Sequence, residues 1–283
     1  MQRIDEWLKS ATHQLLKEGG EVDVSESPRL DEELLLGYVI DKTRTWLFTW
    51  PEKTMSPEQK KIADELLARR IIGEPIAHLI AQREFWSLNF KCNNTTLIPR
   101  PDTECLIEKV LTLNLLPDAR ILDLGTGTGA IICALASEFP QATCLGVDFS
   151  SDAVALATDN KTALSLDRVT IKQSDWFSEV TVTFDLIISN PPYIDENDEH
   201  LSQGDVRFEP LSALVAKNKG LADIENINTN AKSFLADGGG LMFEHGWQQA
   251  EVVQEILLSS GFEHVESGKD YGGNLRYTLV RLT

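Results

Sequence analysis

Ile121-Leu122-Asp123-Leu124-Gly125-Thr126-Gly127-Thr128-Gly129 sets a short apolar strand directly against three alternating glycines. A backbone that turns sharply from strand into helix, and lets a ligand approach its amides, needs residues without a Cβ. Asp148 follows at the end of the next apolar run, about twenty residues on, where a carboxylate can accept hydrogen bonds from two ribose hydroxyls. Gly125, Thr126, Gly127, Thr128, Gly129 and Asp148 together describe an adenosine-containing ligand lying over the carboxyl ends of a parallel sheet. The loop alone admits two such ligands. Gly125-x-Gly127-x-x-Ala130 also satisfies the dinucleotide fingerprint, so an NAD-dependent oxidoreductase is a rival reading. Two features favour S-adenosylmethionine. Asp123 stands where a carboxylate suits a cationic amino-acid end better than a pyrophosphate, and the loop begins only near residue 121, after a helical segment.

Outward from the loop, strand and helix signals alternate. Strands are expected at 120–124, 143–148, 169–173, 184–189, 240–244 and near 277–280, with helices at 130–139, 151–164, 222–235 and 250–258. This alternation predicts an α/β domain, a mostly parallel sheet with helices on both faces. Residues 1–82 read as a helical bundle. Ser27-Pro28 and Ser56-Pro57 each offer a capping hydroxyl with proline at the first helical position, and Gln59 completes a capping-box spacing behind Ser56. Ile62, Ala63, Leu66, Leu67 and Ile71 make one apolar face. Residues 83–98 read as a hairpin linker turning at Asn93-Asn94. Residues 99–283 form the catalytic domain, opening with Pro99-Arg100-Pro101 and a helix that turns Ile107, Val110 and Leu111 inward.

The strand at 184–189 runs straight into Asn190-Pro191-Pro192-Tyr193. Two prolines remove two backbone donors, so this strand tip presents the Asn190 side-chain oxygen, the Pro191 carbonyl and the aromatic face of Tyr193. Such a set suits a planar NH2 group. Its lone pair is delocalised and its nitrogen is a poor nucleophile, so two acceptors must orient it toward an electrophilic carbon. The same acceptors stabilise positive charge as it builds on nitrogen. Ser174-Asp175-Trp176 closes the strand at 169–173. Asp175 can accept from an adenine amino group and Trp176 can pack on the ring; a helix cap and a core tryptophan are the competing roles.

The chain of 283 residues carries 44 acidic and 26 basic side chains, net -18. Residues 1–82 hold 15 acids and 11 bases, net -4, and residues 83–283 hold 29 and 15, net -14. Proteins that grip phosphate backbones carry a surplus of Lys and Arg, so direct binding of nucleic acid is not expected. Cys92, Cys105, Cys133 and Cys144 show no C-x-x-C pairing, and His13, His78, His200, His245 and His264 no metal spacing; reduced thiols and no metal are expected. With no signal-peptide core and no apolar run of membrane-spanning length, the expected location is the cytoplasm, which makes the Asn94-Thr95-Thr96 sequon a chance match. His245 reads as a satisfied polar turn, Arg100 as half of a structural salt bridge, and Arg207 and Glu209 as either surface or a loop closing over substrate.

The glycine loop and Asn190-Pro191-Pro192-Tyr193 together resemble the class I amino-methyltransferases, which include adenine-N6 DNA enzymes and protein glutamine enzymes. Gly73-Glu74-Pro75-Ile76-Ala77-His78-Leu79, Arg83-Glu84-Phe85-Trp86, Leu97-Ile98-Pro99-Arg100-Pro101-Asp102-Thr103-Glu104 and Gln203-Gly204-Asp205-Val206-Arg207-Phe208-Glu209-Pro210 resemble the bacterial release factor glutamine methyltransferases. That resemblance implies a Rossmann-like domain with a seven-stranded, mostly parallel sheet behind a small helical domain. It implies N5-methylation of the glutamine in the Gly-Gly-Gln loop of peptide-chain release factors, with S-adenosylmethionine as donor and S-adenosylhomocysteine as product. Gly125 to Gly129, Asp148, Trp176 and Asn190 would line the cofactor, Asn190 to Tyr193 would hold the glutamine, and the helical domain would help dock the release factor. An adenine-N6 DNA methyltransferase, which needs a basic groove, and a non-catalytic binding module are the alternatives.

Overall fold

The computed structural model describes residues 2–18, 25 and 27–282. Contacts divide the chain into two units, Met1–Gln82 with Glu199–Phe208, and Arg83–Asp198 with Glu209–Thr283.

The first unit contains α1 (Ile4–Glu18), α2 (Pro28–Ile40), α3 (Arg44–Thr49), α4 (Pro57–Ile71) and the short α5 (Ile76–Leu79). Ile4, Trp7, Ala11 and Leu15 of α1 pack against Leu36, Leu47, Ala63 and Leu67, and Trp7 donates its indole N–H to Asp64 at 2.8 Å. At the start of α4 the capping box is complete. The Ser56 hydroxyl accepts from the Gln59 amide at 3.1 Å and the Gln59 carbonyl oxygen accepts from the Ser56 amide at 2.9 Å. The expected cap at Ser27 is absent: α2 does begin at Pro28, but the Ser27 backbone (φ -143, ψ 67) leaves no side-chain cap bond. Ile62 also departs from the expected apolar face and lies exposed, while Ala63, Leu66 and Leu67 are buried. Residues 199–208, read from sequence as part of the catalytic segment, pack here. Asp205 sits 3.5 Å from Arg70, and the Arg207 guanidinium occupies the space beside Gly73.

The second unit opens with a hairpin, β1 (Gln82–Phe85) and β2 (Leu88–Lys91). Its turn is Trp86-Ser87, not Asn93-Asn94. Both turn residues have positive φ (52 and 58), and the Trp86 amide and indole N–H donate to Glu104 at 2.9 Å and Glu138 at 2.7 Å. Tertiary partners thus hold a two-residue turn that local propensity does not favour. Then follow α6 (Glu104–Leu111), β3 (Arg120–Leu124), α7 (Ala130–Glu138), β4 (Thr143–Asp148), α8 (Ser151–Ala163), β5 (Val169–Gln173) and β6 (Phe184–Ser189). A single turn α9 (Lys217–Gly220), α10 (Ala222–Ala231), β7 (Leu235–Glu244), α11 (Ala250–Ser259), β8 (Glu263–Lys269) and β9 (Leu275–Arg281) complete it. In α6, Ile107 and Val110 are buried as expected, whereas Leu111 is exposed. The helix expected over 222–235 stops at Ala231; a 3-10 turn, Lys232–Phe234, leads into a strand that starts at Leu235, five residues earlier than the apolar run suggests.

The seven strands lie in the order β5-β4-β3-β6-β7-β9-β8. Strands β3 to β7 are mutually parallel, and β9 runs antiparallel to both β7 and β8. Two apolar layers cover the sheet, one centred on α6 and α7 with Leu106, Ile132 and Leu135, the other on α10 and α11 with Ile224, Ile227 and Val253. Chain direction across the sheet reverses between β3 and β6. At such a switch point successive crossovers leave in opposite directions, and a crevice opens beyond the strands' carboxyl ends. Replacing Ser56 with Ala is expected to cost about 1 kcal/mol. Hydrogen exchange at the first turn of α4 reads this, and unchanged protection would show that the box contributes nothing.

Candidate active site

The loop after β3 is built as its glycines require. Gly125, Gly127 and Gly129 have φ of +71, +54 and +80, a region where a Cβ is strained. The Gly125 and Thr126 amides both donate to the Val147 carbonyl at 2.9 Å, tying the turn to the end of β4. Close approach matters at Gly129, where a Cβ would come 3.3 Å from Ala157 on α8. Asn160, buried on the same helix, donates to the Thr128 carbonyl at 2.9 Å and braces the loop from behind.

A cavity of about 280 Å³ opens over this loop. Gly125 to Thr128, Asp148, Asp175, Trp176, Asn190 and Pro192 all line it, so residues from the ends of β3, β4, β5 and β6 meet there. Asp148 is fixed by its own carboxylate, which accepts the Gly127 amide on one oxygen and the Ser150 amide on the other, each at 2.9 Å. Each oxygen keeps lone-pair capacity for a ligand hydroxyl. Trp176, held at φ 47, lays its indole 3.6 Å from the position a Cβ would take on Gly125. Asp175 is exposed at the rim, with its amide donating to Ser178.

Asp123 is fully buried beneath the loop. Its Oδ2 accepts the Thr126 hydroxyl at 2.6 Å, and its Oδ1 has no partner. Burial pushes this carboxyl up to about 7, opposed by the Thr126 bond and reinforced by Asp148. An unpaired buried acceptor beside a cavity is chemistry in wait of a donor.

The end of β6 is stitched to the end of β3, since the Ser189 hydroxyl donates to the Leu124 carbonyl at 2.7 Å. Asn190 and Pro192 face the cavity. Pro191 is buried and Tyr193 half-buried, and neither lines it. The Tyr193 hydroxyl reaches instead toward Glu244 at 3.4 Å, while its carbonyl accepts from Gln249 at 3.0 Å. That carbonyl also lies against α9, only 2.0 Å from where a Cβ on Gly220 would stand. The turn achieves this approach with three consecutive left-handed residues, Asn218, Lys219 and Gly220 (φ 54, 55 and 81).

Several cavity residues were not singled out from sequence. Thr95 and Thr96 line the cavity, and the buried Thr96 hydroxyl has no partner, so part of the Asn94-Thr95-Thr96 segment belongs to the site. Phe149, 74% exposed, stands at the rim directly after Asp148; a large aromatic following a strand-end carboxylate was the legible signal. Thr103 and Asp223 had none. Glu209 is buried, accepts the Ile98 amide at 2.7 Å and pairs with Arg100, so this residue is a structural clamp on the 98–100 segment. His245 is buried between the Gly246 carbonyl and the Thr278 hydroxyl, both 2.9 Å away, and burial lowers its pKa.

A family model described as a methyltransferase domain matches residues 115–279, and one described as the PrmC N-terminal domain matches residues 6–80. A crystal structure of a methyltransferase from Pyrococcus furiosus has the same fold, at TM-score 0.54 and 19% identity over 77% of this chain and 98% of that one. The protein is therefore a class I methyltransferase in fold and domain. The release factor glutamine methyltransferase of Shewanella oneidensis is 53% identical over 90% of each chain, and that of Escherichia coli 50% identical over 97% of each. The chain belongs to the release factor glutamine methyltransferase family. That membership removes the dinucleotide oxidoreductase reading of the glycine loop.

Because the folded-state pKa of Asp123 lies above its ordinary value of 3.8, its ionisation favours the unfolded chain. Its contribution to stability is therefore fullest below pH about 4, falls as pH rises, and levels off above pH about 7. The ligand-free Asp123→Asn variant is expected to lose stability less steeply than wild type over that window in denaturant titrations. Parallel curves would show that Asp123 does not titrate there.

Proposed function

We propose that this protein transfers the methyl group of S-adenosylmethionine to the side-chain amide nitrogen of the glutamine in the Gly-Gly-Gln loop of peptide-chain release factors. The relatives' names support the substrate, and the site chemistry supports the donor and the acceptor. Asp148 would take the ribose hydroxyls on its remaining lone pairs, Trp176 would pack on the adenine, and Asp175 would accept from its amino group. The loop Gly125, Thr126, Gly127, Thr128 and Gly129 would lie along the amino-acid end, with the orphaned Asp123 oxygen beneath it. A cationic ligand fits a cavity whose charged lining is Asp148, Asp175 and Asp223 against Arg100, itself paired with Glu209, better than a pyrophosphate does.

When bound, S-adenosylmethionine supplies an electrophilic methyl carbon on a sulfonium. The chain's own task is to hold a weak nucleophile in line with it. The observation that carries the reading is Asn190, on the same cavity as the glycine loop. Its Nδ2 donates to the Thr103 hydroxyl at 3.4 Å, which leaves Oδ1 for an incoming N–H. Asn190 Oδ1 would hold one hydrogen of the glutamine amide, and the Pro191 carbonyl, which lies behind the cavity wall, would take the other once the amide seats against Pro192, leaving the nitrogen's π face to the methyl. As the new N–C bond forms and the sulfur–carbon bond breaks with its electron pair left on sulfur, the nitrogen would become positive, and both acceptors would bind that charge more tightly than the neutral amide. One N–H proton would then pass to solvent water, which restores amide conjugation. Pro192 would wall the pocket beside the flat group, and Tyr193, outside the lining, would hold the turn through its carbonyl bond to Gln249. Residues 1–82 would contribute to docking the release factor.

Incubation with S-adenosylmethionine and an unmodified release factor, followed by mass spectrometry, is expected to place one methyl on the Gly-Gly-Gln glutamine. A methyl found on DNA adenine and absent from that glutamine would replace this reading with the DNA enzyme. Asn190→Ala is expected to lower kcat by about a hundredfold or more while retaining cofactor binding by calorimetry. Turnover near wild type would refute the acceptor role.

A further inference from the structure

Asn160, on α8, is fully buried and does not line the cavity, yet its side chain holds two segments that lead into it. Its Oδ1 accepts the Lys91 amide at 2.7 Å, and its Nδ2 donates to the Lys91 carbonyl at 3.1 Å and to the Thr128 carbonyl at 2.9 Å. A carboxamide has two N–H donors, and both are used here on backbone carbonyls. Toward Lys91 the side chain pairs as another peptide unit would in a sheet, giving one bond and taking one. Toward Thr128 it extends a single bond into the middle of the glycine loop.

Lys91 is the last residue of β2, and residues 92–100, which follow it, have no helix or strand among the described residues. Four residues beyond Lys91, this segment begins to line the cavity with Thr95, Thr96 and Leu97. It faces the glycine loop there: the Thr96 Cβ lies 3.9 Å from where a Cβ on Gly127 would stand. Helix α8 meets the loop a second time through Ala157, three residues before Asn160 and on the same face, which packs against Gly129. One side chain on a packed helix thus fixes the origin of one cavity wall and the centre of the opposite one.

We propose that Asn160 is a positioning residue for the methyl donor. By joining Lys91 to Thr128 it sets the gap between the 95–97 segment and the glycine loop, and so governs binding of the amino-acid end of S-adenosylmethionine. This rests on the reading of S-adenosylmethionine as donor, with that end along the loop. The adenosine end has other supports, since Asp148 ends β4 and keeps the Ser150 amide, and Trp176 follows β5. Loss of the Asn160 bonds therefore loosens one half of the site and spares the other. The joint is unforgiving, because removing its donors strands the carbonyls of Lys91 and Thr128.

The test is calorimetry of S-adenosylhomocysteine and of adenosine on the full chain. Asn160→Asp keeps the size of the side chain and the acceptor for Lys91 but has no N–H to give. It is expected to weaken S-adenosylhomocysteine by about tenfold or more and to leave adenosine within about twofold of wild type. Equal loss of both ligands would mark a general weakening of the fold, and unchanged affinity for both would show that the joint does not reach the site; either result overturns the proposal. A second measurement needs no variant. Hydrogen exchange of the Lys91 amide, outside the cavity lining, is expected to slow severalfold when S-adenosylhomocysteine saturates wild type and to stay unchanged with adenosine. Exchange indifferent to S-adenosylhomocysteine would overturn the proposal even if Asn160→Asp failed to fold. Wild type that binds neither S-adenosylmethionine nor S-adenosylhomocysteine would sink the reading of the donor, and the joint with it. Normal binding by wild type with no selectivity in the variant would sink the joint alone.

Discussion

Parallel pairing of β3 with β6 is the constraint on which the site depends. Leu124 and Ser189 are partners in that register, and the Ser189 hydroxyl closes the gap onto the Leu124 carbonyl. One residue beyond each, the two strands diverge into unlike structures. Gly125 opens a turn of left-handed glycines whose backbone can come close to a ligand, and Asn190 opens a turn of prolines that offers oxygen without competing amides. A slip of one residue would turn every side chain of β6 to its other face, and the two turns would no longer address the same cavity.

Most of what surrounds this junction serves to hold it still. Asn160 props the glycine turn, Glu209 clamps the 98–100 segment, and Gln249 takes the Tyr193 carbonyl. These side chains have their hydrogen bonds within the protein, which fixes their rotamers. Asp123, Thr96 and Glu244 differ: each keeps a buried oxygen without a partner. Such atoms carry a cost in the folded state; Thr96 lines the cavity, Asp123 holds the Thr126 hydroxyl beside it, and Glu244 lies behind the Asn190 turn, while Asn228 on α10 keeps another such oxygen away from them. Under the proposed function the cost at Asp123 is recovered when the donor is present.

The central strands were legible because buried parallel strands are largely apolar runs, and the bounds of β3, β4 and β6 read directly from them. At the edge the signal fails. Glu263-His264-Val265-Glu266-Ser267-Gly268-Lys269 of β8 pairs on one side only and stays largely solvated, so neither an apolar run nor a clean alternation marks it. The hairpin turn escaped for another reason, since Trp86-Ser87 is held by Glu104 and Glu138, which no local rule anticipates. The candidate site divides the same way. Turn-forming residues announce themselves by composition, whereas Thr103 lies 87 residues before Asn190 and Glu244 lies 51 after Tyr193, and only the folded sheet brings them to one point.

Gly220 has no chemistry to offer and does not border the cavity, yet the carbonyl of Tyr193 stands where its side chain would begin. Any other residue would push on the very turn that carries Asn190. The protein's tolerance for change is therefore drawn by steric shadow as much as by reactivity. A silent position thirty residues downstream of Asn190 is confined as narrowly as a residue of the cavity wall, by the pressure of one oxygen atom.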